Sequence, residues 1–67
     1  MKYKYDKVTD ILIIEMSEDS PDFAEQKGNI IAHYNKDGKP IEIEILDASD
    51  TASKIINLIL ASKRKTA

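Results

Sequence analysis

The chain predicts a small α+β domain in which an antiparallel sheet of about four strands, a meander, carries one C-terminal helix packed on it. Three observations predict this. Ile41-Glu42-Ile43-Glu44-Ile45 alternates strictly between apolar and charged residues, and successive strand side chains point to opposite faces, so one face is apolar and the other wet. Asp47-Ala48-Ser49-Asp50-Thr51 follows at once, a run of side-chain oxygens suited to capping a helix. Beyond it, Ala52, Ile55, Ile56, Leu58, Ile59 and Leu60 recur at helical spacing.

Lys2 to Asp6 sets Tyr3 and Tyr5 on one face of a first strand, and Lys7-Val8-Thr9-Asp10 reads as a turn. Ile11 to Met16 is a second, largely buried strand. Leu12, Ile14 and Met16 belong to the main core, which leaves Ile11 and Ile13 needing cover of their own. Ser17 to Asp22 is a loop containing a strand-breaking proline, and Phe23 to Lys27 is ambiguous, with edge pairing open to it. Asn29 to Tyr34 is a further strand. Asn35-Lys36-Asp37-Gly38-Lys39 is a hairpin turn in which Gly38 supplies positive φ, and Pro40 begins the last strand.

The helix is expected over about 51–63, with a frayed basic tail at 64–67. Its apolar residues sweep roughly 200°, whereas a helix lying on one sheet needs a stripe of little more than about 100°. The surplus width predicts a contact with a second chain. Ile11, Ile13, Ile55, Leu58 and Leu60 are the candidate interface residues, and Tyr3, Tyr5, Leu12, Ile14, Ile43, Ile45, Ile55, Ile56 and Ile59 are the expected core.

Size points the same way. A 67-residue chain makes one lean domain, and a core of this size nets no more than about 3–5 kcal/mol without a disulfide, a metal or a partner. The chain has no cysteine and one histidine, which leaves oligomerisation, a homodimer first, as the expected support. No cofactor and no metal are expected. Residues 1–50 hold all twelve acids against six lysines, a net −6, while residues 51–67 carry four cations and no acid. An acidic body repels phosphate backbones and argues against nucleic acid as a partner. No run approaches the roughly 20 apolar residues of a membrane helix. The first residues lack the apolar core of a signal peptide, so the expected setting is the cytoplasm.

Few residues suggest chemistry. His33 on a strand beside a turn reads as a sheet-surface residue. Asp6, Asp10, Glu44 and Asp47 sit at strand ends and could serve acid–base hydrolysis or gather a hard cation. The plainer reading is that Asp6 and Asp10 shape a turn and Asp47 caps the helix. Ser49, Thr51 and Ser53 are read as caps, and Lys63-Arg64-Lys65 as dipole partners.

Tyr5-Asp6, Asp10 to Met16, Gly28 to Asn35, Asp37-Gly38 and Ile43 to Ser49 together resemble a small prokaryotic family, the domain of unknown function numbered twenty-two eighty-three. The resemblance spans residues 3 to 49, and its end motif, Ile-Glu-Ile-Leu-Asp-Ala-Ser, is the most distinctive part. The family usually has acidic residues where this chain has His33 and Asn35, and an aromatic at the place of Ile13. The resemblance brings no catalytic residues and implies at most an antitoxin-like or accessory role. The leading expectation is therefore a non-enzymatic protein-interaction module acting as a homo-oligomer, with a basic protein as a further partner. The alternative is a small oligomeric enzyme or cation-binding protein with an acidic site shared between subunits, using Asp6, Asp10 or Asp47.

Overall fold

A computed structural model describes the backbone of residues 1–66 and the side chains of residues 1–62. Five strands precede one helix: β1 (Lys2–Asp6), β2 (Ile11–Glu15), β3 (Phe23–Lys27), β4 (Ile30–Tyr34), β5 (Pro40–Ile45) and α1 (Ala48–Thr66). The class is α+β, as the alternation requires, with five strands where about four were expected. The extra strand is the ambiguous segment at 23–27. It pairs with β4 through a tight turn in which Gly28 holds φ at 59°, a conformation glycine adopts without a Cβ penalty.

All neighbouring strands are antiparallel, in the order β1-β2-β5-β4-β3. The sheet is thus a hairpin, β1-β2, joined edgewise to a three-strand meander, β3-β4-β5, and the 16–22 loop carries the chain from β2 across to the far edge. A plain meander would have set β3 beside β2. Here β5 takes that place, and its pairs Leu12–Ile45 and Ile14–Ile43 match apolar residues across the join.

The register sorts the two faces. One face carries Tyr3 and Tyr5 from β1, Leu12 and Ile14 from β2, and Ile43 and Ile45 from β5. Ile30 and Ala32 from β4 continue it to Phe23 on β3. Phe23 stacks on Tyr34 at that edge, with ring centroids 5.0 Å apart. The opposite face carries Lys2, Lys4, Ile13, Glu15, Glu42, Glu44, Ile31 and His33.

The helix corrects the expectation of packing. It does not lie on the sheet of its own chain: Ile55, Ile56, Leu58, Ile59 and Leu60 are all exposed, and Leu58 retains 69% of its accessible surface. The expected core fails with it. Tyr3, Tyr5, Ile55, Ile56 and Ile59 are exposed, Leu12, Ile14, Ile43 and Ile45 are half-buried, and only Ile41 and Ala48 are buried apolar residues among those described. The reason is architectural, because one layer has nothing to bury against. The radius of gyration is 14.7 Å, against about 11 Å for a compact domain of this length. The helix begins at Ala48 and reaches Thr66, longer at both ends than expected. The expected fraying at 64–67 lies outside the residues whose side chains are described.

Candidate functional site

Two side-chain clusters and one cleft hold the polar residues that matter. The first lies where the helix leaves the sheet. Asp6 closes the β1–β2 turn, accepting from the Val8 amide at 3.1 Å and the Thr9 hydroxyl at 2.8 Å. The Thr9 hydroxyl first, and then the Val8 amide, hold the Asp6 carboxyl below its ordinary value. Asp10 follows with φ of 57°, a left-handed conformation that Asp tolerates better than most residues.

The Asp10 carboxylate accepts from the Tyr5 hydroxyl at 2.6 Å, the Ser49 hydroxyl at 2.7 Å and the Ser49 amide at 3.1 Å. The Tyr5 hydroxyl, then the Ser49 hydroxyl, lower its pKa, and the same bond to Asp10 raises that of Tyr5. The Asp10 carbonyl also accepts the Ala48 amide at 3.0 Å. Asp10 is therefore the cap of a helix that begins some forty residues further along the chain, satisfying amides that no helical carbonyl can reach.

Asn29 holds the other side of the same connection. Its side-chain amide donates to the Leu46 carbonyl and to the Thr51 hydroxyl, each at 2.8 Å, while its carbonyl accepts the Leu46 amide at 2.8 Å. Asp47, expected to cap with its side chain, contributes its carbonyl, which accepts the Asp50 and Thr51 amides, and a φ of 51° that turns the chain into the helix. Of the candidate acids, Asp6, Asp10 and Asp47 gather at this corner, where they shape turns and start the helix. Glu44 lies elsewhere.

The second cluster is on the polar face. His33 on β4 stands opposite Glu42 on β5, with Glu44 two residues on along the same strand and on the same face. The His33 Nε2 lies 2.6 Å from a Glu44 oxygen and 3.8 Å from one of Glu42, and each of the three side chains is about a quarter to a third exposed. One nitrogen and two carboxylate oxygens stand within 4.8 Å of one another. The reading of His33 as an isolated surface residue missed this trio. The signal was available in the hairpin, since pairing β4 with β5 across the Asn35–Lys39 turn places His33 against both glutamates.

An open cleft of ≈ 440 Å³ separates the 19–22 loop from the hairpin turn and is lined by Asp19, Asp22, Asn35, Lys36 and Asp37 among others. Asn35, buried, braces it by donating to Asp19 at 3.2 Å and accepting the Asp37 and Lys39 amides at 2.9 Å. The candidate interface residues divide between two surfaces. Ile11 and Ile13 are half-buried on the polar face of β2, whereas Ile55, Leu58 and Leu60 are exposed on the helix. No helix among the described residues is long and apolar enough to cross a membrane.

A single-layer antiparallel sheet with a projecting helix, latched at its base by Asp10 and Asn29, defines the class. The chain belongs to the family described as protein of unknown function, DUF2283, whose model matches residues 2–49. Neither the curated proteins nor the solved structures include a match. The matched span takes in the whole sheet and the Asp10–Ser49 latch and ends as the helix begins, so Tyr5, Asp6, Asp10 and the Asp47-Ala48-Ser49 run have a structural account as one assembled corner.

Proposed function

We propose that the protein is a non-enzymatic protein-interaction module that acts as a homo-oligomer, a dimer first. One observation carries the reading: the sheet face that is apolar from Tyr3 and Tyr5 on β1 to Ile30 and Ala32 on β4, with Phe23 beside Glu25 and Lys27 at the far edge, has no second layer over it among the described residues. A contiguous apolar surface of this kind marks an interaction site. The opposite face, with Glu15, Glu42 and Glu44, remains free to meet a basic protein, and opposite charge would steer that encounter. That division of labour suits an antitoxin-like or accessory role. The test is native mass by sedimentation and light scattering across a dilution series. A species of at least twice the 7.6 kDa chain mass that persists to low micromolar concentration is the expected result, and a monomer at every concentration overturns the reading.

A second reading is favoured by the His33–Glu42–Glu44 trio, whose imidazole and carboxylate donors suit a divalent cation such as zinc or manganese. The interaction module does not depend on it. Calorimetric titration with either metal, compared with Glu44→Gln, decides it: equal heats from both proteins end this reading.

A further inference from the structure

Resting on the reading of the chain as a self-associating module, we propose that the apolar sheet face is covered by α1 of a second copy, so that two chains exchange helices reciprocally. The area argues for a large partner surface. The chain exposes 5541 Å², whereas a folded monomer of 7.6 kDa exposes roughly 4,300 Å². The excess of roughly 1,200 Å² exceeds the ~800 Å² that each partner of a standard stable complex buries. A second copy supplies that cover for both molecules at once, because each chain carries both an uncovered sheet and an uncovered helix stripe.

Dimensions agree. At ~1.5 Å per residue, the 19-residue helix is about 28 Å long. Five strands spaced ~4.8 Å apart make a sheet about 20–24 Å wide, so one helix spans it from edge to edge. Charge agrees as well, since α1 holds Lys54, Lys63, Arg64 and Lys65 against the single acid Asp50, whereas residues 1–47 hold eleven acids against six lysines.

The helix is also prevented from serving its own sheet. Only Leu46 and Asp47 separate β5 from α1. Leu46 is held through both its amide and its carbonyl by Asn29, while Ala48 and Ser49 are held by Asp10. Folding α1 back over its own sheet would break this latch on both sides. The connection aims the helix outward, and the wide arc from Ile55 to Leu60 is the surface it presents to the other copy.

The chain has no cysteine, so cross-linking can be read without background. Full-length Ser62→Cys chains, which keep Leu58 and place a thiol one turn beyond it on the same side of the helix, are mixed with tagged full-length Ala32→Cys chains, Ala32 lying on the apolar face opposite Ile43 of the central strand. The mixture is treated with a short bis-maleimide while native mass is recorded. Ile30→Cys, on the same face, replaces Ala32→Cys if that variant does not fold. The expected product is a covalent link between the tagged and untagged chains, helix to sheet, from a species of dimeric mass. Links only between two Ser62→Cys chains, or none at dimeric mass, overturn helix exchange while leaving self-association standing. An intrachain link in the Ala32→Cys/Ser62→Cys double variant at high dilution overturns it too, because the helix then covers its own sheet. Monomeric mass throughout overturns both.

Discussion

Truncating Leu58 to alanine separates the account from a solitary-chain account by a large margin. In the isolated chain the Leu58 side chain is the most exposed of the helix's large apolar residues, at 69%. Alanine is the better helix former there, so for a monomer the substitution should change stability by no more than about 0.5 kcal/mol. In a dimer with exchanged helices the same side chain is buried on the partner's sheet. Burying a leucine is worth about 1.5–3 kcal/mol, and a symmetric dimer contains two, so association should weaken by about 3–6 kcal/mol. That is a rise in dissociation constant of roughly two to four orders of magnitude. Sedimentation velocity across a dilution series, with circular dichroism at each concentration, measures it. The wild type should hold its mass where the variant dissociates, and the variant's melting temperature should become strongly concentration-dependent. A variant with wild-type mass and melting temperature at every dilution refutes the reasoning.

Other consequences follow from the latch and the turns. The Asp10 carboxyl is held below its ordinary value, so it contributes stability above its unfolded pKa that is lost as pH falls through its folded value. Asp10→Asn should flatten the acid limb of an unfolding-versus-pH curve, leaving the part of the slope due to Asp6, which is lowered in the same direction. Tyr5 is shifted upward by its bond to Asp10, so the stability it contributes is present below its unfolded pKa and lost as pH rises through its folded one. Tyr5→Phe should remove that alkaline loss. Asn29→Ala leaves the Leu46 carbonyl without its side-chain donor and should cost about 1–3 kcal/mol in denaturant melts. Gly38→Ala meets no atom within 4 Å but must hold φ at 78°, so it should cost about 1–2 kcal/mol through backbone strain alone.

How much of this was legible in the sequence depended on whether the signal was local. The strands at 2–6 and 40–45 announce themselves by alternating apolar or aromatic with charged residues, and those at 11–15 and 30–34 by short apolar runs bounded by turn residues. Phe23–Lys27 does not alternate, since Glu25 and Lys27 share the face of Phe23. Its pairing was nonetheless written in Gly28-Asn29, a two-residue hairpin loop that fixes its register against β4. The helix cap was hidden for a different reason. Asp47 looks like the cap because it is adjacent, yet the carboxylate in place belongs to Asp10, and no spacing rule links residues 39 apart. The His33–Glu42–Glu44 trio sits between these cases, readable only after the hairpin register is assigned.

The error with the widest consequence was to give the helix and the sheet to one another within a single chain. Their periodicities showed that both needed cover, and the helix arc showed that one sheet was not enough. What composition and pattern could not show is the direction in which α1 leaves β5. That direction is set by two left-handed aspartates, Asp10 and Asp47, and by the bonds of Asn29, all of which exist only after the strands have assembled.

The most direct test of the central claim is an isotope-filtered nuclear Overhauser experiment on an equimolar mixture of uniformly labelled and unlabelled chains. The account predicts interchain contacts from the methyl groups of Ile55, Leu58 and Ile59 to those of Ile14, Ile43 and Ala32. Interchain contacts confined to helix against helix, or a complete lack of them in a sample that sediments as a monomer, would contradict it.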